Sequence, residues 1–281
     1  MRFSPAKTPA LITRICTLLA VLLLAACAKP VDIVRIPADP TLASDNWDRF
    51  VATAKGNETL AGPFRLNATL YYSGKEDSQR VTVYFWGNGD KNAPLPVRLD
   101  ILVGSGSVAA KAEENARGLF IYVPREGKVY FTESATLLAF DVPMPFSLKD
   151  IAFLVSGRFA EVFVPGNNTD PAFPPKPLKS IDNNVVYAVP GSSLGGQVTI
   201  GPDGLPVSWT DGNENGWFLT VEYWPDSTRT LPRRLHIRQA EDREATLIVR
   251  ELSYPDTPFT PEQLELALPS DTLLVPLADS L

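Results

Sequence analysis

From Phe64 onward the chain alternates apolar and polar residues with a period of two, and no other feature constrains its fold as much. Phe64, Leu66, Ala68, Leu70 and Tyr72 alternate with Arg65, Asn67, Thr69 and Tyr71; Val81, Val83 and Phe85 alternate with Thr82, Tyr84 and Trp86; Val97, Leu99, Ile101 and Val103 follow. Successive side chains of a strand point to opposite faces, so each run predicts a strand with one face on a core. Further candidates lie at 107–113, 118–124 and 127–133, the last two joined through Arg125, Glu126 and Gly127 as a tight hairpin. The pattern resumes at 184–189, 196–200, 205–210, 216–224, 230–239 and 244–253. Gly201-Pro202-Asp203-Gly204 separates two of these runs as a turn, because proline presets φ and glycine supplies a positive φ.

Two segments carry helical periodicity instead. Trp47, Phe50, Val51 and Ala54 share one face of a helix starting at Ser44 or Asp45 and ending before Gly56 and Asn57. Ser147 and Asp150 have the spacing of a capping box, with Phe146 and Ile151 placed as a hydrophobic staple. Leu148, Ile151, Ala152 and Val155 then form an apolar stripe, and Gly157 is a C-terminal stop. Between the two blocks of strands, residues 165–177 hold five prolines and read as a surface loop. The order predicts a mainly β fold with a few helices (α+β): a single curved antiparallel sheet, or unclosed β-barrel, of about eleven or twelve strands, with helices covering the concave face. Such a face either encloses an apolar cavity fit for acyl chains or packs solidly on its cover.

The N-terminus is an address rather than part of the fold. Arg2, Lys7 and Arg14 precede twelve apolar or small residues from Ile15 to Ala26, too few to cross a bilayer, which takes roughly 20. Leu24-Ala25-Ala26-Cys27 then reads as a lipobox and resembles the end of a bacterial lipoprotein signal peptide, in which the cysteine is lipidated. The expected organisation is a signal peptide at 1–26, an extended tether at 27–43, a half-barrel domain at 44–275 and a tail at 276–281. Cys16 leaves with the peptide and Cys27 carries lipid, so no thiol remains for a disulfide or a thiolate metal site. The mature chain holds 23 basic and 32 acidic residues, a charge of −9, which argues against nucleic acid as a partner.

No catalytic constellation is present. The single histidine, His236, lies mid-strand, and no Gly-x-Ser-x-Gly elbow accompanies it. Histidine and cysteine are too few for a metal centre, and no Asp-x-Asp-x-Asp-Gly loop occurs. Glu113 and Glu114 are adjacent, so in a strand they face opposite ways and cannot act as an acid and base pair. Trp86, Trp209, Trp217 and Trp224 sit in or beside strands, where a large ring belongs to a core by default. The reading is of a protein that is not an enzyme and takes no cofactor.

Lipobox, amphipathic helix, strand meander, mid-chain helix and second meander, taken in order, resemble the LolA/LolB lipoprotein-localisation family. Pro232-Arg233-Arg234-Leu235-His236-Ile237, the strand around Leu247 to Val249, and Leu264-Glu265-Leu266-Ala267-Leu268-Pro269 are similar to stretches of that family. The resemblance implies an unclosed barrel lidded by helices over a cavity for lipoprotein acyl chains, with Leu148, Ile151 and Val155 as cavity or lid residues. It also implies an outer-membrane anchor through Cys27, a domain facing the periplasm, and a periplasmic carrier as partner. Ala28 after the anchor suits outer-membrane sorting. Receptor members carry a loop with an apolar tip; here the loop 87–96 offers Leu95, between Pro94 and Pro96, as a membrane-tip candidate. The rival reading is an envelope assembly or scaffold lipoprotein that uses the same sheet to bind a protein.

Overall fold

A computed structural model describes residues 37–281 except 58–61, 75–77, 90–95, 105, 134–144, 165–173, 226–229, 240–242 and 278–281. Cys27 and Leu95 lie outside the described residues. All twelve strands expected from the alternation form. They are β1 (Phe64–Ser73), β2 (Ser78–Gly87), β3 (Val97–Val103), β4 (Ser107–Asn115), β5 (Gly118–Val123), β6 (Lys128–Thr132), β8 (Asn184–Ala188), β9 (Gln197–Ile200), β10 (Pro206–Thr210), β11 (Trp217–Tyr223), β12 (Pro232–Gln239) and β13 (Arg243–Ser253). Two more, β7 (Pro177–Ile181) and β14 (Leu273–Pro276), bring the sheet to 14 strands. Both additions are edge strands, which need no buried face and so carry no alternation.

The order across the sheet is β14-β6-β5-β4-β3-β2-β1-β13-β12-β11-β10-β9-β8-β7, so it is open, with β14 and β7 at its two edges. Every pairing is antiparallel except β14 with β6, which is parallel. The two meanders meet where β1 pairs with β13, from Arg65 opposite Ser253 to Ser73 opposite Glu244. Register then puts Leu66, Ala68, Leu70, Val83, Phe85, Leu235, Ile237, Leu247 and Val249 on one buried face. Arg80, Tyr84, Arg234, His236 and Thr246 point to the other.

Helices close the buried face. α1 (Pro40–Asn57) starts earlier than Ser44, so Pro40 to Ala43 belong to a helix and not to an extended tether. The reason is local: Asp39 caps the end by accepting from the Thr41 and Leu42 N–H groups at 2.8 and 3.2 Å, and Pro40 takes the first helical position, where no N–H is needed. Trp47, Phe50, Val51 and Ala54 are all buried, as their spacing predicts. Trp47 packs on Tyr187 of β8 at 5.4 Å between ring centroids, and the Tyr187 hydroxyl donates to the Ala43 carbonyl at 2.6 Å. The β9–β10 turn also docks on α1. Gly204 has φ of +80°, and a Cβ there would stand 2.5 Å from the carbonyl carbon of Arg49, so this turn accepts only glycine.

The mid-chain helix, α2 (Leu148–Val155), has the predicted cap: Ser147 Oγ accepts from the Asp150 N–H at 2.9 Å, and the Asp150 carboxylate accepts from the Ser147 N–H at 3.1 Å. It ends at Gly157, φ +73°, with the Arg158 N–H reaching back to the Phe153 carbonyl at 2.8 Å. A second short helix, α3 (Phe159–Phe163), follows directly, and α4 (Pro261–Leu264) lies beyond β13. Residues of α1, α2 and α3 share a single core cluster with the inner face of the sheet. Among the described residues, no helix is long and apolar enough to cross a membrane.

Candidate functional site

The candidate site is the contact between α2 and the inner face of the sheet. Seven of the eight residues of α2 are buried, and only Lys149 is exposed. Leu148, Ile151 and Val155, singled out from their spacing, are exposed by 0, 7 and 0 % and belong to the central cluster. A helix that is apolar almost all round is held by burial rather than by amphipathicity, and each such side chain is worth about 1.5–3 kcal/mol. The seam beside it, bordered by Phe64, Gly89, Ala152, Phe153, Ser156 and Arg158, has room for about 10 Å³, at most about one water. The described structure is therefore closed at this seam, with α2 in direct contact with the sheet.

Polar contacts fix the start of α2, and of these sequence reasoning found only the Ser147–Asp150 capping box. Glu114, on β4, accepts from the Lys149 N–H at 3.0 Å and lies at the helix N-terminus, where free N–H groups and the helix dipole favour a carboxylate. Beside it, Asp150 closes the capping box and accepts from Ser193 Oγ at 2.5 Å, tying α2 to the loop between β8 and β9. Burial pushes the Glu114 carboxyl up to about 7; the Lys149 N–H opposes that rise, and the Asp150 charge adds to it. Its neighbour Glu113 points to the outer face and accepts from the Leu266 N–H at 2.8 Å, so the two carboxylates do part company as strand geometry requires. Only the capping half of this arrangement was visible locally, since Glu114 meets Lys149 across 35 residues of chain.

A second buried polar group sits at the far end of α2. Arg158 donates to the Gly89 carbonyl at 3.0 Å, pairs with Glu161 at 3.0 Å and stacks over Phe153 at 4.7 Å. Of the strand tryptophans given a core place by default, Trp209 and Trp217 are core residues, but Trp86 and Trp224 are only half-buried, and Trp86, on the outer face, donates to the Gln263 carbonyl at 3.0 Å. His236 is also on the outer face, with Nδ1 2.9 Å from Thr246 Oγ1 and 3.6 Å from a Glu244 oxygen. Among the described residues, no group of three or more histidine, cysteine, aspartate or glutamate side chains could hold a metal.

No family model matches the sequence, and no curated protein sequence is significantly similar to it. Solved structures are similar in fold. A DUF1329 family protein from Desulfovibrio piger superposes with a TM-score of 0.51 at 11 % identity, over 81 % of this chain and 98 % of its own. A LolA superfamily protein from Nitrosomonas europaea matches over 76 % of this chain and 97 % of its own, at 10 % identity and a TM-score of 0.48. A putative outer membrane lipoprotein-sorting protein domain from Vibrio parahaemolyticus matches over 78 % and 97 %, at 9 % identity and a TM-score of 0.48. The fold is shared with the Desulfovibrio piger protein. That likeness is one of fold alone and spans nearly all of the compared structure.

Proposed function

We propose that this chain is a non-enzymatic envelope lipoprotein, anchored through Cys27 at the periplasmic side of the outer membrane, whose half-barrel takes up a lipid or lipoprotein acyl chain between the sheet and α2. The observation that carries this reading is the manner in which the apolar face is closed. Among the helices that cover it, α2 is short and apolar on nearly every side, and it is fixed at its start by Glu114, Asp150, Ser147 and Ser193. An acyl chain replacing Leu148, Ile151 and Val155 against the sheet would bury comparable apolar surface, so displacement of the helix exchanges like for like. Sorting or transfer of lipoproteins, with a periplasmic carrier as partner, is the role that best suits such a displaceable cover on an anchored protein.

Two measurements test it. Ile151→Asp places a carboxylate against the sheet at a cost of several kcal/mol, and we expect both the lipid that co-purifies with the chain and its melting temperature to fall; lipid content and melting temperature equal to those of the wild type would refute the role of α2. Cys27→Ser should abolish palmitate incorporation and release the domain from the membrane fraction, because stable attachment takes two or more acyl chains at about 0.8 kcal/mol per CH₂. Labelling of that variant at the wild-type level would remove the anchor.

A further inference from the structure

The polypeptide after β13 returns across the outer face of the first meander and is pinned there at two places. At the first, the Leu266 N–H donates to the Glu113 carboxylate at 2.8 Å, just after the Gln263 carbonyl meets the Trp86 indole. At the second, the Leu273 N–H donates to the Gly127 carbonyl at 3.1 Å and the Leu277 N–H to the Phe131 carbonyl at 2.8 Å. Between the two anchorages the Thr272 N–H turns back on the Pro269 carbonyl at 3.1 Å. A groove of about 510 Å³ lies there, with Phe120, Val129 and Arg117 of the sheet on one side and Leu266, Leu268 and Leu274 of the returning segment on the other. Sites for small molecules run from about 300 to 1,000 Å³.

The groove sets apolar side chains beside polar ones, and among the described residues its lining holds one cation, Arg117. Leu268 and Leu274 are 43 and 58 % exposed, an unfavourable arrangement for leucines unless something covers them. Arg117 is exposed, holds its guanidinium over the Phe120 ring at 5.3 Å and forms no ion pair among the described residues. The carboxylate nearest in sequence is already used: Glu113 accepts from the Leu266 N–H and from the Asn115 amide at 2.5 Å. Within the groove the Thr272 hydroxyl is buried without a partner. Glu113 on the sheet and Glu265 on the returning segment are the other charged residues of the lining.

We propose that this outer groove is a second binding site, separate from the inner face, for one fatty acyl chain bearing a free carboxylate, with the chain along Phe120, Val129, Leu266, Leu268 and Leu274 and the carboxylate on Arg117. Arg117, the one cation of the lining among the described residues, is where a carboxylate head fits, and Glu113 and Glu265 weaken the site by repulsion. An arginine fits the role because its planar guanidinium can meet both oxygens of a carboxylate at once.

The test is photolabelling of the full chain in its own membranes with a diazirine-bearing fatty acid, followed by residue-level mapping. The expected labels fall on Phe120, Leu268 and Leu274; palmitate competes for them and its methyl ester does not. Arg117→Glu should reduce labelling about tenfold, the loss of one charge-assisted contact, with the melting temperature unchanged, while Arg117→Lys retains most of it and Glu265→Gln increases it. Labels confined to inner-face residues such as Ile151 or Leu247 would overturn the second site while leaving the inner-face binding of the proposed function intact. Equal competition by the methyl ester, labelling that does not saturate, or indifference to Arg117→Glu would overturn it as well.

Discussion

Glu114 is the residue whose chemistry can be read most directly from its surroundings. Its folded pKa, about 7, lies above the ordinary 4.5 because burial disfavours the carboxylate. A raised folded pKa means that the folded protein holds the proton more tightly than the unfolded chain. The stabilisation is complete below about pH 4.5 and is lost as pH rises through about 7. At about 1.36 kcal/mol per pH unit, the interval corresponds to about 3 kcal/mol. Glu114→Gln keeps an acceptor for the Lys149 N–H but cannot ionise, so its stability should lack this component. Thermal melts of both proteins from pH 4.5 to 8 should therefore diverge, with the variant gaining on the wild type as pH rises. For a domain of this size 1 kcal/mol shifts the midpoint by about 2–4 °C, so the relative gain should approach 6–12 °C at about pH 8. Any constant cost of the altered hydrogen bond drops out of that comparison. A difference between the two melting temperatures that stays constant within a degree from pH 5 to 8 would refute the account of Glu114 as a buried, proton-holding contact of α2.

Two further perturbations reach other parts of the molecule. Gly204→Ala should cost about 1–3 kcal/mol in denaturant melts, because alanine is strained at φ +80° and its methyl would collide with the backbone of α1 at Arg49; an unchanged midpoint would mean that the turn does not dock there. Leu95→Glu should leave the melting temperature within about two degrees while reducing transfer of bound lipid to liposomes, since an inserted leucine gains about 1.5–3 kcal/mol only at the membrane. Unfolding of that variant would make Leu95 a core residue instead.

The strands were legible because each has one dry face and one wet face, so burial writes itself into the sequence with period two. β7 and β14 escaped for the complementary reason. Pro177-Leu178-Lys179-Ser180-Ile181 sits at an edge with little buried surface, and Leu273-Leu274-Val275-Pro276 joins β6 through its backbone while its leucines stay exposed. The early start of α1 was written in Asp39-Pro40, a cap followed by a first-turn proline, but the apolar spacing that begins at Trp47 drew the boundary later. α4 likewise bears its signal in Thr260-Pro261-Glu262-Gln263, a capping box with proline in the first turn. For the site, Leu148, Ile151 and Val155 could be chosen from spacing alone. Glu114, Ser193 and Arg158 could not, because their partners are brought to them by tertiary structure: no local pattern distinguishes a strand glutamate facing solvent from one beneath a helix N-terminus. The outer groove is invisible for the same reason, being formed by segments about 140 residues apart along the chain.

The meeting of β1 with β13 has a consequence for how the molecule is made. Within each meander a strand pairs with the one just before or after it, so closure spans a turn or short loop and proceeds quickly. The join between Arg65 and Ser253 is different, because it links the first strand to the thirteenth. During synthesis, β1 must keep one ten-residue edge unpaired until nearly the whole chain has emerged. Each half can form its own ribbon early, yet the inner face has no common wall until those two ribbons zip together. Folding is thus committed late, at a single long seam, and the interval before it closes is when the nascent chain is most open to pairing with the wrong neighbour.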